Sequence, residues 1–176
     1  MHPPGHPEFT LRPTVSASRM WSGQPRKRAV PNGVRAHVLK RDDYTCASCR
    51  HRALKWMHVH HIHDHDNEEL SNLALLCPAC HAVLHFGRSM QVGALEVWKS
   101  TISQLEIVQK TREGIRKGKS LDEINSMYGL SRGRFAPSSL RWPNDLLLAM
   151  GDAEHAQLPE PLCVVFVRFS QWQVDA

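Results

Sequence analysis

The spacing of apolar side chains divides the middle of the chain into short elements. Val34, Val38 and Leu39 recur at helical spacing and predict a short helix just before the first cysteines. The stretch KWMHVHHI, residues 55–62, has the alternation that is typical of a strand. A polar stretch, residues 63–72, has no such pattern and is expected to be a loop. These elements bracket the histidine-rich part of the chain.

A second strand and a short helix are expected directly after this loop. In LALLCPACHAVLHFG, residues 73–87, an apolar strand end runs into Cys77. Pro78 suits a first helical turn and Gly87 suits a helix stop, which together predict a helix from about 78 to 86.

The chain beyond this helix is expected to be mainly helical. Apolar residues at 95, 98, 102 and 105 follow a 3-4-3 spacing, which predicts a helix from about 94 to 118 with a basic last part. Ser120 and Glu123 form a possible capping box, and Gly129 suits a turn, so a helix-turn-helix could begin here. Its core face would hold Leu121, Ile124 and Met127. The apolar run PLCVVFVRF near the end predicts one buried strand.

Residues 1–32 contain several prolines and little apolar periodicity, and we expect a mostly disordered basic arm. The whole chain has 22 lysines and arginines against 17 acidic residues, a net charge of +5 that favours a polyanionic partner. Cations that could contact DNA phosphates are Arg26, Lys27 and Arg28 in the arm, and Arg132 and Arg134 after the turn. The alternative for the arm is a solvated tail without a partner. The alternative for the segment around the turn is helical packing without DNA contact.

The chain shows no apolar run of membrane-spanning length, and its start lacks the apolar centre of a secretory signal. We therefore expect a cytoplasmic protein without a membrane partner. In a reducing compartment, cysteine pairs point to metal rather than to disulfides.

Four of the five cysteines form two C-x-x-C pairs, Cys46 with Cys49 and Cys77 with Cys80. Each pair can supply two thiolates to one tetrahedral Zn²⁺ ion, so a single ion would join two distant segments. A closed four-sulfur site leaves no position for substrate, and its zinc would be structural.

The histidines suggest a second metal site. His81 and His85 are four residues apart and share one face of the expected helix, where they can bind a metal. His60 and His61 are neighbours on the expected strand and point to opposite sides, so one can bind metal while the other faces a substrate. Asn72 lies between strand and helix, where its carboxamide can bond to backbone.

The three stretches RAHVLKRDDYTCASC, VHHI and SNLALLCPACHAVLH, within residues 34–86, occur in the order found in HNH endonucleases. The chain resembles that family, whose ββα-metal or His-Me finger grips a metal between a β-hairpin and a helix. The four-cysteine site is similar to that of restriction-type members. The resemblance implies that His61 is the general base, that Asn72 orients it, and that His60, His81 and His85 bind the catalytic metal.

The identity of that metal stays open. Many family members have aspartate where this chain has His60, and an aspartate-containing site with waters suits Mg²⁺. An all-imidazole site better suits Zn²⁺, Mn²⁺ or Ni²⁺. Cofactors are therefore expected to be a structural Zn²⁺ and one catalytic divalent metal.

Phosphodiester hydrolysis needs an activated water and a cation that offsets charge on the phosphoryl and leaving oxygens. One imidazole base and one metal meet both needs. Together with the resemblance, this chemistry leads us to expect a metal-dependent endonuclease acting on double-stranded DNA. A noncatalytic zinc-knuckle DNA-binding protein is the main alternative, and an RNA-directed or toxin nuclease of the same fold is a third.

The expected fold is α+β: a ββα-metal finger with structural zinc, followed by a mainly helical extension. Its segments are a basic arm over residues 1–32, a nuclease domain over 33–90 and the extension over 91–176. The oligomeric state does not follow from the sequence.

Overall fold

The computed structural model describes residues 9–16, 30–63, 66–132, 155–157 and 162–168. The fold is mixed, with short helices and small antiparallel sheets. The strands are β1 (Thr14–Ser16), β2 (His58–His61), β3 (Leu73–Leu76), β4 (Leu95–Lys99), β5 (Ser131–Arg132), β6 (His155–Gln157) and β7 (Leu162–Phe166). The helices are α1 (Asn32–Arg41), α2 (Pro78–Leu84), α3 (Phe86–Gln91), α4 (Gln104–Arg116) and α5 (Leu121–Met127).

An antiparallel hairpin followed by a helix forms the centre of the molecule. Strand β2 pairs with β3 so that His58 faces Leu76 and His61 faces Leu73. Strand β3 is fully buried, and Pro78 occupies the first turn of α2 as predicted. The preceding helix α1 also forms where Val34, Val38 and Leu39 predicted it, with Val38 buried against β3.

The helix after the hairpin is interrupted earlier than predicted. α2 ends at Leu84, because His85 has non-helical dihedral angles of φ −103° and ψ 43°. Gly87 is therefore not a helix stop but a buried residue inside α3. Gly93, at φ +66°, provides the stop after α3, a left-handed conformation that glycine adopts at little cost.

The predicted helix from about 94 to 118 is wrong over its first part. Residues 95–99 form β4, the central strand of a sheet with the order β5-β4-β7. The 3-4-3 spacing of apolar residues is misleading here, because pairing with β7 outweighs the local preference for a helix. In the strand, Leu95 and Trp98 are both buried. The helix begins only after Ser103, whose side chain and Glu106 form a capping box.

α5 begins at the predicted capping box of Ser120 and Glu123, and Gly129 turns the chain at φ +62°. A Cβ at Gly114 of α4 would overlap the buried Ile124, so glycine permits the close approach of these two helices. Met127 does not face the core as expected, since 56% of it is exposed. The chain continues from the turn into β5 and not directly into a second helix, and residues beyond Arg132 of the expected helix-turn-helix lie outside the described part.

The two ends of the chain also take part in the fold. Part of the expected disordered arm is ordered, because β1 pairs with β6 and Leu11 is buried in the main core. β7 forms the predicted buried strand near the end of the chain. Core residues of the hairpin, such as Leu75, and of the extension, such as Phe166, belong to one buried cluster. Among the described helices, none combines the length and the apolar composition needed to cross a bilayer.

Candidate metal centres

The four paired cysteines converge on one buried point. Cys46 and Cys49 lie in the loop after α1, Cys77 immediately precedes α2, and Cys80 lies in its first turn. Their sulfur atoms all lie within 4.8 Å of one another, and the Cys49 and Cys77 sulfurs are 3.6 Å apart. Tetrahedral coordination with Zn–S bonds of about 2.3 Å requires sulfur separations of about 3.8 Å. This four-cysteine cluster therefore fits a structural metal such as zinc.

The loop that presents Cys46 and Cys49 is held by backbone hydrogen bonds. The amide of Cys46 donates to the His51 carbonyl at 2.9 Å, and the amide of Ala47 donates to the Leu75 carbonyl at 2.7 Å. The second bond attaches the loop to β3, close to Cys77. Arg50, directly after the pair, adopts φ 62°, a left-handed conformation that is unusual for a residue with a side chain.

A buried arginine from a distant helix contacts the four-cysteine cluster. Arg112 of α4 donates from Nη1 to the Cys49 sulfur at 3.2 Å and from Nη2 to the Cys77 sulfur at 3.1 Å. Burial disfavours its charged form, but the Cys77 and Cys49 thiolates outweigh this and raise the pKa of Arg112 above its ordinary value. Neighbouring cysteines and the charge of Arg112 lower the pKa of the Cys49 thiol. Four thiolates around one Zn²⁺ would exceed the charge of the metal, and the guanidinium would offset part of the remaining negative charge.

Arg112 was not predicted to be at this site, because it lies in a run of basic residues. The helical period carries the missed signal: Val108 and Arg112 are four residues apart on the buried face of α4. Another missed pair is Arg41 and the fully buried Asp42, which form an ion pair at 2.6 Å. Arg41 also donates to the Leu73 carbonyl at 2.8 Å and thereby ties α1 to the start of β3.

A second cluster consists of three histidines, His60 on β2, His81 in α2 and His85 at the end of α2. One nitrogen from each lies within 4.8 Å of the others. The ring centroids of His60 and His85 are 5.2 Å apart, and those of His81 and His85 are 4.6 Å apart. The three residues predicted to bind a catalytic metal are thus neighbours, and three imidazoles would leave at least one coordination position for water or substrate.

The surroundings of this three-histidine cluster favour neutral imidazoles. His58 stacks on His81 with ring centroids 4.3 Å apart, and the Phe9 ring packs edge-on to His60 at 6.0 Å. Burial, together with the nearby His85, His58 and His60, lowers the pKa of His81 to about 2. The neutral form is the one that binds metal ions, so the lowered pKa of His81 favours the form of this residue that can be a ligand.

His61 occupies the opposite face of β2 from His60. The register pairs His60 with Ala74 and His61 with Leu73, and side chains alternate along the strand. Stacking of His58 on His81 and the ring contacts of His60 identify the face that is turned to α2. His61 is partly buried and is not a member of the three-histidine cluster, although its Cα is only about 3.8 Å from that of His60.

Asn72 fixes the loop that follows β2. Its side chain is buried, with Oδ1 accepting from the His63 amide at 3.0 Å and Nδ2 donating to the Asn67 carbonyl at 2.7 Å. Its own carbonyl accepts from the Ile62 amide at 2.8 Å. The carboxamide bonds to backbone as the sequence suggested, and these bonds hold the chain immediately after His61.

The remaining predicted residues contribute less to either centre. Arg26, Lys27, Arg28 and Arg134 lie outside the described residues. Arg132 lies in β5, where its Cα pairs with that of Trp98. His63 is exposed in the loop after β2.

The chain matches no protein-family model and no curated protein.

Proposed function

We propose that the protein is a metal-dependent endonuclease of the HNH type that hydrolyses phosphodiester bonds in DNA. The convergence of His60, His81 and His85 supports this proposal, because these are the residues that the resemblance assigns to the catalytic metal. The hairpin of β2 and β3 followed by α2 has the element order of a ββα-metal finger. The four-cysteine cluster is proposed to bind zinc, which would attach this finger to the rest of the core.

In this proposal His60 and His61 of β2 have separate roles. A divalent metal bound by the three histidines would polarise the scissile phosphate and stabilise the leaving oxygen. His61, on the other strand face, accepts a proton from the attacking water. His60 and His61 can have different roles because strand alternation keeps their imidazoles apart.

Asn72 is proposed to be a positioning residue. Its bonds to the backbone of His63 and Asn67 close the loop after β2 and so restrict the position of His61. A general base must lie within hydrogen-bond reach of the water it activates, and small displacements lower its efficiency. The buried carboxamide would therefore affect the rate of hydrolysis without touching the substrate.

A cleavage assay across substrates and metals tests the proposed activity. Purified protein is incubated with double-stranded DNA, single-stranded DNA or RNA, each with Mg²⁺, Mn²⁺, Ni²⁺ or Zn²⁺. We expect cleavage of double-stranded DNA with products bearing 5′-phosphate and 3′-hydroxyl ends. Because the three ligands are imidazoles, Mn²⁺, Ni²⁺ or Zn²⁺ should support the reaction better than Mg²⁺.

Substitution of His85 by alanine should weaken binding of the catalytic metal and reduce cleavage. His63→Ala, at an exposed position, serves as the matched control. If His85→Ala cleaves as fast as the wild type with the same metal dependence, the three-histidine cluster is not the catalytic centre. Preferred cleavage of RNA would instead identify an RNA-directed nuclease of the same fold. Binding to DNA without cleavage under any of these metals would favour the noncatalytic zinc-knuckle protein.

A further inference from the structure

A cleft of about 520 Å³ separates the cysteine-bearing loop from the second half of α4. Residues 49–52 form one wall, and α4 residues between 109 and 117 form the other. The cleft is open to solvent and borders the four-cysteine cluster, since Cys49 belongs to both. Cys80 of the same cluster is directly followed in the chain by His81, a member of the three-histidine cluster.

The charged side chains that line this cleft are strongly biased toward cations. Arg50 and Arg52 project from the loop, and Arg116 and Lys117 from the end of α4, and all four are exposed. Arg112 lies beneath them and is engaged with the cysteine sulfurs. Glu113 supplies the cleft's carboxylate among the described residues. Set against Glu113 and the Cys49 sulfur, which would be a thiolate in a metal-bound cluster, the four exposed cations still leave the rim of the cleft with a net positive charge.

The acidic neighbours of the cleft do not cancel this bias. Glu113 pairs with Lys117 at 2.5 Å, and Asp43 pairs with Arg52 at 3.0 Å. Both pairs are exposed, and exposed ion pairs contribute little to stability. A phosphate can therefore compete for these cations at small cost, because a guanidinium fork matches the geometry of phosphate oxygens.

We propose that this cleft binds the sugar-phosphate backbone of the DNA substrate as a second contact site, separate from the three-histidine cluster. The inference builds on the proposed function, since it assigns to the same substrate a further stretch of backbone. Arginine and lysine contacts of this kind position a duplex without reading its bases. The cleft would therefore raise affinity equally for all DNA sequences and fix where the strand crosses the cleavage centre.

Arg50 offers a substitution that separates binding from folding. Its backbone is left-handed at φ 62°, where glycine is favoured over residues with a side chain. Arg50→Gly therefore removes the cation and relieves backbone strain at the same time. The thermal stability of this variant should equal or exceed that of the wild type, so a loss of affinity would not come from unfolding.

The experiment measures affinity for a labelled DNA duplex as a function of salt, by fluorescence anisotropy without added divalent metal. Variants are Arg50→Gly, Arg116→Gln and the two combined, and Lys99→Gln removes the same charge at an exposed position outside the cleft. The slope of log affinity against log salt is negative. Each single cleft substitution should reduce its magnitude by about one, and the double variant by about two. Lys99→Gln should leave the slope unchanged.

Unchanged slopes in the cleft variants would overturn the inference, as would an equal loss in Lys99→Gln. Tighter binding of an RNA duplex, with the same loss on substitution, would overturn the assignment to DNA. These outcomes are distinct from failure of the proposed activity. A wild type that cleaves nothing while its cleft variants lose salt-dependent affinity would refute the nuclease and leave the DNA-binding cleft in place.

Discussion

The guanidinium of Arg112 lies 3.2 Å from the Cys49 sulfur and 3.1 Å from the Cys77 sulfur. Arg112 thus joins Cys49 and Cys77, one cysteine from each C-x-x-C pair, to α4. This helix is not part of the unit formed by β2, β3 and α2. A four-thiolate metal site carries excess negative charge in the protein interior, where uncompensated charge is costly. One buried cation thus makes the extension part of the metal site.

Replacing Arg112 by methionine should weaken zinc retention. The change keeps a long side chain but removes two charge-assisted hydrogen bonds, and one such bond contributes about 1.5–3 kcal/mol. We expect the zinc affinity of the variant, measured by competition with a chelator, to be at least about tenfold lower than that of the wild type. Arg116→Met, on the exposed side of the same helix, is the control. Equal zinc retention in both variants would show that the Arg112 contacts do not stabilise the metal.

Removal of the structural metal should unfold the hairpin region. The four sulfurs come from two segments separated by residues 50–76, and a bound metal would join the two segments. Cys80→Ser should lower zinc content and reduce the cooperative unfolding signal in circular dichroism. Cys163, also buried but outside the cluster, provides the matched substitution. A Cys80→Ser variant with full zinc content would contradict this assignment.

Asn72→Ala should lower both stability and activity. The buried Asn72 side chain makes two part-buried hydrogen bonds to the backbone of His63 and Asn67, and groups left without such a partner cost about 1–3 kcal/mol. The free energy of unfolding, measured in urea, should fall by about this amount. The cleavage rate of the remaining folded protein should fall as well, since the loop after His61 loosens. The exposed Ser71→Ala should change neither quantity, and an unchanged rate in Asn72→Ala would remove its positioning role.

The free energy of unfolding should fall as the pH is lowered, because of the partly buried His81. Its folded pKa is about 2, below the ordinary value of 6.5, so the unfolded chain binds more protons between these values. Stability from this residue is therefore present above about pH 6.5 and lost as the pH falls, with a slope of up to about 1.4 kcal/mol per unit. In zinc-loaded protein without a second metal, the free energy of unfolding measured in urea should depend less on pH in His81→Asn than in the wild type between about pH 6.5 and 5. Parallel pH profiles for the two proteins would argue against a lowered pKa of His81.

Local periodicity was enough to predict the neighbours within the candidate sites. The C-x-x-C pairs predicted one four-cysteine cluster, and the i, i+4 spacing of His81 and His85 placed them on one helix face. Strand alternation predicted that His60 and His61 lie on opposite faces of the strand, and the structure has His60 but not His61 beside His81 and His85. These relations need only the geometry of a single helix or strand.

Features that depend on distant pairing could not be read in this way. Residues 95–99 fit a helical pattern but become a strand because β7, far along the chain, pairs with them. The pairing of β1 with β6 similarly orders a segment whose own composition favoured disorder. Arg112 contacts cysteines more than thirty positions away, as the 35-residue separation from Cys77 shows. Tertiary contacts decided each of these cases over local propensity.

The most direct test of the central claim is the single-turnover cleavage rate of His61→Ala on supercoiled plasmid, with the metal that best supports the wild type. Zinc content and DNA affinity are measured on the same preparations, and His63→Ala is the control. We expect a loss of about 10²- to 10⁴-fold in the rate for His61→Ala, with zinc content and affinity unchanged. A His61→Ala variant that cleaves at the wild-type rate would contradict the assignment of His61 as the base.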